Sequence, residues 1–246
     1  GYHRHISHRA YDCHPAVRLV FLLFGAAAAQ NSALRWCRDH RIHHQKVDRD
    51  EDPYNIKKGF FWAHMGWIYY ESNEDDDFTV APDLARDPLI LWQEKYYLPI
   101  LLLVGFVLPA AAGALVGRSF GGFLFGGLVR VVVVHHLTFF INSMAHYVGS
   151  RPYSIDNTAR DSWWLAIITY GEGYHNYHHR FAADYRNGIR WWHFDPTKWL
   201  IAALASSGLA WRLTEYREEH ILKAKLETQL KLAHAKLETA PQEISE

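Results

Sequence analysis

The stretch "GEGYHNYHHR", residues 171–180, sets His175, His178 and His179 within five positions. Imidazoles crowded in this way form a metal-binding pattern, and three further groups repeat it. His3 and His8 are spaced HxxxxH, "HRIHH" carries His40, His43 and His44, and "NSMAH" carries Asn142 and His146. On a helix turning about 100° per residue, positions i and i+4 differ by about 40° and positions i and i+3 by about 60°. His40, His43 and His44 therefore point one way from one helix, and His175, His178 and His179 do the same from another. Asn142 and His146 share a face. His3 and His8 lie about 140° apart on an ideal helix, which calls for a helix end or two different metals.

Nine histidines and one asparagine exceed the roughly four ligands that a single zinc takes. They suit two metals with four or five ligands each. Neutral imidazole binds iron, zinc, copper and nickel. Beside a membrane, where the substrate is lipidic, activation of O2 by iron is the most economical use of the set; the residues alone leave zinc and copper open. Any one pair taken singly is as readily a structural contact, but four groups at helical spacing weigh against that reading for the whole set. The other eight histidines (5, 14, 64, 135, 136, 193, 220 and 234) lack the patterning. His135 falls on the face of Asn142 and His146, so a supporting role behind the ligands is open to it. His135 and His136 are expected mainly to line a cavity entrance or to bond neighbouring helices.

These side chains need elements to carry them. Residues 98–117, "LPILLLVGFVLPAAAGALVG", run 20 residues without a charge, about 30 Å as a helix and enough to cross a bilayer core. After Arg118-Ser119, residues 120–141 are apolar enough to cross again, with Arg130 near the middle. A central arginine costs about 2.5–3.5 kcal/mol on insertion, so Arg130 should face protein or a polar cavity. The two runs predict a helical hairpin over 98–141 that returns the chain to its starting side. Apart from Arg118 and Arg130, every Lys and Arg lies on the side shared by residues 1–95 and 142–246, which the positive-inside rule places in the cytoplasm. The expected fold class is thus all-α: an integral membrane protein whose helical cytoplasmic cap holds the histidines.

Residues 19–29, "LVFLLFGAAAA", are too short to span. "GFFWAHMGWIYY", residues 59–70, is aromatic in the manner of a headgroup-zone segment. "DPTKWLIAALASSGLAW" opens with Asp195 as N-cap and Pro196 at the first helical position and is expected to lie along the membrane surface. From about 212 the chain reads as a charged helix, ending in a frayed "APQEISE". Residues 1–212 form one expected membrane unit and 213–246 a C-terminal helix and tail. Lys+Arg and Asp+Glu both number 26, so net charge offers no sign of a nucleic-acid partner. Cys13 and Cys37 form no CxxC pair, which disfavours a disulfide framework and suits a reducing compartment.

The histidine boxes, in this order and around a membrane hairpin, resemble those of the integral-membrane fatty acid desaturases, and within them the delta-9 acyl-CoA (stearoyl-CoA-type) desaturases. "GYHRHISHRAY", "QNSALRWCRDHRIHHQKVDRDEDPYN", "KKGFFWAHMGW", "NSMAHYVGSRPY", "GEGYHNYHHRFAADYRNG" and "WWHFDPTKW" carry the resemblance, which runs to about residue 212. It implies a non-haem di-iron centre with O2 as co-substrate and Asn142 acting through a water. By analogy His3, His8, His40, His44 and His179 hold one iron, and His43, His146, His175 and His178 the other. It also implies that Gln30, Trp36 and Thr138 shape the bend of an acyl tunnel, and that Asn31, Arg38 and Asp39 sit near its polar mouth. Without the resemblance, Trp36 reads as an interfacial anchor and Arg38 with Asp39 as a surface pair.

The implied reaction sets a cis double bond, at delta-9, in a saturated acyl chain carried on CoA or a lipid. Two electrons come from a separate ferredoxin or cytochrome b5. The implied location is a bacterial inner membrane or the endoplasmic reticulum. Family members carry a hydrophobic hairpin before the first box, so the chain is expected to be a fragment lacking it. Carboxylates should orient the imidazoles, with Asp12, Asp39, Asp48 and Glu172 as candidates. Two rivals remain: a related membrane hydroxylase or other oxygenase, and a non-enzymatic metal-handling membrane protein. The helical spacing and wide distribution of the histidines argue against the second.

Overall fold

The computed structural model describes residues 1–70 and 77–239. Among the described residues the regular elements are helical, apart from one two-residue antiparallel pair, Asp12–Cys13 against Ala210–Trp211, and two isolated bridges. The expected hairpin is present. Its helices run Tyr97–Ala114 and Ser119–His146, both long and apolar enough to cross a membrane. They approach closely where Gly122 faces Pro109, since a Cβ on Gly122 would stand 2.2 Å from the Pro109 carbonyl oxygen. Side chains such as Leu102, Val107, Phe120, Phe125 and Val132 point outward and are half or more exposed. Arg130 turns inward as expected. Its guanidinium donates to the carbonyl oxygens of Ala27 (2.7 Å), Gly105 (3.1 Å) and Gly126 (2.8 Å). The charge thus meets backbone dipoles, including one at the end of the Pro15–Ala26 helix.

The second hairpin helix is not one regular helix to its end. The α-helix closes at Asn142 and a 3-10 turn, Met144–His146, follows. Asn142 and His146 therefore do not share an unbroken α-helical face, which the sequence spacing had suggested.

Residues 19–26 of the 19–29 run form the latter part of the short helix Pro15–Ala26, and residues 27–29 follow as a turn. Aromatic residues 59–70 form a π-turn, Trp62–Gly66, running into Trp67–Tyr70. Asp195 caps Pro196–Ser206 by accepting from the Lys198 N–H (3.0 Å). The charged C-terminal helix spans Glu218–Thr239; the "APQEISE" tail lies outside the described residues. One core patch (Ile6, Leu22, Leu34, Cys37, Leu84, Ile90) packs the N-terminal turn against the Ala33–Lys46 helix. Another (Tyr153, Tyr177, Phe181, Ile221, Ala224) fixes the His175–Arg180 helix to the C-terminal helix. Both cysteines are buried and free.

Candidate metal centre

Four elements bring the histidines together. Tyr2–Ser7 is a π-helical turn in which the His8 N–H donates to the His3 carbonyl five residues back (3.1 Å). A π-turn brings i and i+5 onto one side, so His3 and His8 serve the same cluster. Ala33–Lys46, capped by Ser32, carries His40, His43 and His44. The end of the hairpin supplies His146, and the helix His175–Arg180 supplies the last three.

The nine histidines form two sets. His3, His8, His40, His44 and His178 make one and His43, His146, His175 and His179 the other, with the ligand atoms of each set within 4.8 Å of one another. His178 and His179 thus exchange places relative to the partition that the resemblance implied. Helix geometry is the cause. His175 and His179, at i and i+4, lie about 40° apart, while His178 lies about 60° from His175 and about 100° from His179, at the flank of that face nearest the five-histidine set. The Ala33–Lys46 helix repeats the rule, giving its i, i+4 pair His40 and His44 to the five-histidine set and His43 to the four-histidine set.

The spacing fits metal. Adjacent nitrogens about 2.1 Å from one ion lie roughly 3.0–3.4 Å apart. The Nε2···Nε2 distances here are 2.8 Å for His8–His40, 3.0 Å for His3–His178 and His44–His178, 3.1 Å for His146–His175 and His175–His179, and 3.3 Å for His43–His179.

The tautomers fit as well. His43 directs Nδ1 at Asp52 Oδ1 (2.8 Å) and His3 directs Nδ1 at Glu172 Oε2 (3.0 Å). Thr158 Oγ1 donates to Asp48 (2.6 Å) and so accepts from His146 Nδ1 (2.9 Å). In all three rings the proton sits on Nδ1, which leaves a bare Nε2 lone pair facing other Nε2 atoms. In the four-histidine set, protons on Nε2 of both His175 and His179 would then collide with each other, whereas a cation between the rings satisfies every lone pair.

Electrostatics agree. Burial pushes His8, His40, His44, His178 and His179 well below the usual imidazole range, helped by the neighbouring rings, and takes His175 down to about 3. Neutral imidazole is the ligating form. Burial raises the Glu172 carboxyl, but His3 and Arg4 more than reverse this and hold it below the usual carboxylate range. Arg4 and Asn187 fix that carboxylate at 3.0 and 2.6 Å.

A cavity of about 670 Å³ opens beside the five-histidine set. All six residues expected to contact substrate line it: Gln30, Asn31, Trp36, Arg38, Asp39 and Thr138. Asn142 and His135 line it too. Gln30 donates to Thr138 Oγ1 (2.8 Å), and Trp36 stacks on His40 at 4.9 Å. Arg38 pairs with Asp39 (2.7 Å), whose carboxyl burial pushes up against the pull of Arg38. Asn31 sits at a left-handed φ of 81° and donates its N–H to Tyr97 Oη (3.1 Å).

Of the carboxylates expected to orient imidazoles, Glu172 does so directly and Asp48 does so through Thr158. Asp12 instead pairs with Arg212, just past the facing strand, and Asp39 faces Arg38 in the cavity. His135 bonds the Ala28 and Ala29 carbonyls, and His136 bonds His64 (3.1 Å). Sequence reasoning missed Asp52, Thr158 and Arg4, and read Asp195 only as a helix cap, not as the partner of Arg4. Asp52 follows the HRIHH helix within reach of its last turn, a usable cue; Thr158 has none in its local sequence.

A family model described as fatty acid desaturase matches residues 1–215. The chain is 43% identical over 225 residues to a probable acyl-CoA desaturase of Schizosaccharomyces pombe, covering 91% of this chain and 47% of that protein. It is 40% identical over 241 residues to acyl-CoA desaturase 1 of Saccharomyces cerevisiae, covering 96% and 47%. It is 39% identical over 218 residues to an sn-2 palmitoyl-lipid 9-desaturase of Nostoc sp., covering 85% and 73%. The chain spans about half the length of the two yeast proteins.

Proposed function

The chain belongs to the fatty acid desaturase family, and from that premise we propose that it sets a cis double bond, at delta-9, in a saturated fatty acyl chain carried on CoA or a lipid. The observation that carries the reading is the convergence of two imidazole sets beside a cavity large enough for a lipid-sized ligand. His3, His8, His40, His44 and His178 would hold one iron. His43, His146, His175 and His179 would hold the other, and Asn142, which lines the cavity, would act on the centre through a water. Iron held there would supply activation of O2; with two electrons from a ferredoxin or cytochrome b5 and two protons from solvent, removal of two hydrogens from adjacent methylenes would leave the alkene and two waters.

The protein's own part is position and exclusion of water. Gln30, Thr138 and Trp36 fix where the acyl chain bends past His40. Arg38, Asp39 and Asn31 give the cavity a polar end suited to a thioester or ester and its carrier. Glu172, Asp52 and Thr158 keep the proton on Nδ1 of His3, His43 and His146, so that Nε2 stays free to bind metal. The apolar hairpin would span the membrane and hold the histidines on the cytoplasmic side, in the endoplasmic reticulum or a bacterial inner membrane.

Expression of the full-length gene in a desaturase-deficient host, followed by fatty-acid profiling with double-bond location, tests the reading. A restored delta-9 monounsaturated acid is expected. A hydroxylated product, or saturated acids alone, would overturn it.

A further inference from the structure

Behind the four-histidine set, one short loop ties two ligands together. Asp52, 1% exposed, accepts from His43 Nδ1 at 2.8 Å through Oδ1, and from the Asp48 N–H at 3.1 Å through Oδ2. The Asp48 carboxylate then reaches a residue 110 positions away, taking the Thr158 N–H at 2.7 Å and its hydroxyl proton at 2.6 Å. With that proton committed, Thr158 Oγ1 accepts from His146 Nδ1 at 2.9 Å. A continuous hydrogen-bonded circuit results: His43, Asp52, Asp48, Thr158, His146. Asp48 holds a left-handed φ of 65°, a region that aspartate enters more readily than most residues other than glycine because its short polar side chain can bond locally.

No ligand of the five-histidine set belongs to this circuit. Its carboxylate contact is a separate one, His3 to Glu172. The hydrogen-bonded circuit thus ends on ligands of the four-histidine set alone.

We propose that Asp48 and Thr158 are positioning residues that secure only the metal of the four-histidine set, which makes the two metals unequal in how firmly they are held. The inference rests on the dimetal reading above. It names Thr158, which binds neither metal nor substrate, as the residue that aims His146 and fixes its tautomer. Outer partners of ligating histidines are typically worth about 10–100-fold in metal affinity.

The test uses the full-length protein in detergent, loaded with ⁵⁷Fe(II), then challenged with a chelator and followed by iron counting and Mössbauer spectra. The wild type should hold two irons. Thr158→Val keeps the shape and removes the hydroxyl; it should lose one iron about 10–100-fold more readily while the other leaves at the wild-type rate. Thr158→Ser should restore both. Asp48→Asn should weaken the same iron as Thr158→Val. The proposal is overturned if Thr158→Val holds both irons as wild type does, if it loosens both alike, or if Thr158→Ser fails to rescue. A wild type that never binds two irons would sink the dimetal reading itself, a result distinct from these.

Discussion

Gly173, the second glycine of "GEGYHNYHH", offers a sharp perturbation. A Cβ there would lie 2.2 Å from the Ala166 nitrogen and 2.6 Å from the Leu165 carbonyl carbon, where ordinary contact begins at 3.4 Å. Those are backbone atoms of the Trp163–Ile168 helix, so no side chain can swing away. Gly173→Ala therefore forces the two segments roughly 1.2 Å apart. Overpacking of this kind costs about 1–3 kcal/mol, and clash with backbone puts it near the upper end. For a chain of this length that is a Tm lower by roughly 6–12 °C. The shift carries into His175 two residues on, whose Nε2 stands 3.1 Å from those of His146 and His179. The iron of the four-histidine set should be the first lost. Thermal unfolding in detergent, with iron counting, measures both effects. A Gly173→Ala protein with wild-type Tm and two irons would refute the reasoning.

Other perturbations follow from the same geometry. His178→Ala and His179→Ala should each strip a different iron, His178→Ala that of the five-histidine set; Mössbauer spectra showing the same iron lost from both would reverse the assignment. Thr138→Val removes the 2.8 Å bond from Gln30, worth about 1 kcal/mol, and should slow turnover and spread the double-bond position; an unchanged rate and product spectrum would remove the pair from the acyl path. Asp195 is fully buried, capping a helix while receiving Arg4 at 3.0 Å and the N–H groups of Asn187 and Gly188 at 2.9 and 3.1 Å. Asp195→Ala leaves Arg4 half-compensated in the interior, at about 3–5 kcal/mol, and should lower Tm more than Gly173→Ala; a Tm near wild type would contradict this.

Much of the site was legible because it is built on helical periodicity. The HRIHH and HNYHH spacings predict clustered imidazoles, and the same i, i+4 rule applied within each helix would have paired His175 with His179. Two apolar runs of about 20 residues, the first uncharged and the second carrying only Arg130, announce the hairpin whatever its packing. Two features resisted reading because they depart from regular helix. The π-turn at Tyr2–Ser7 aligns residues five apart, and the 3-10 turn at Met144–His146 breaks the face on which Asn142 and His146 were expected. The supports of the ligands resisted for another reason. Thr158 meets Asp48 across 110 residues, and no local pattern encodes a tertiary hydrogen bond. Asp12 and Asp39, acids close in sequence to ligands, are taken by Arg212 and Arg38 instead, so sequence proximity alone did not mark which carboxylates orient imidazoles.

The account stands most directly on there being two metals, each enclosed by its own set of imidazoles. Crystals of the iron-loaded protein, measured across the iron absorption edge, should give two anomalous peaks. One should lie among His3, His8, His40, His44 and His178, and the other among His43, His146, His175 and His179. A single peak, no peak, or His178 and His179 bound the other way round would contradict it.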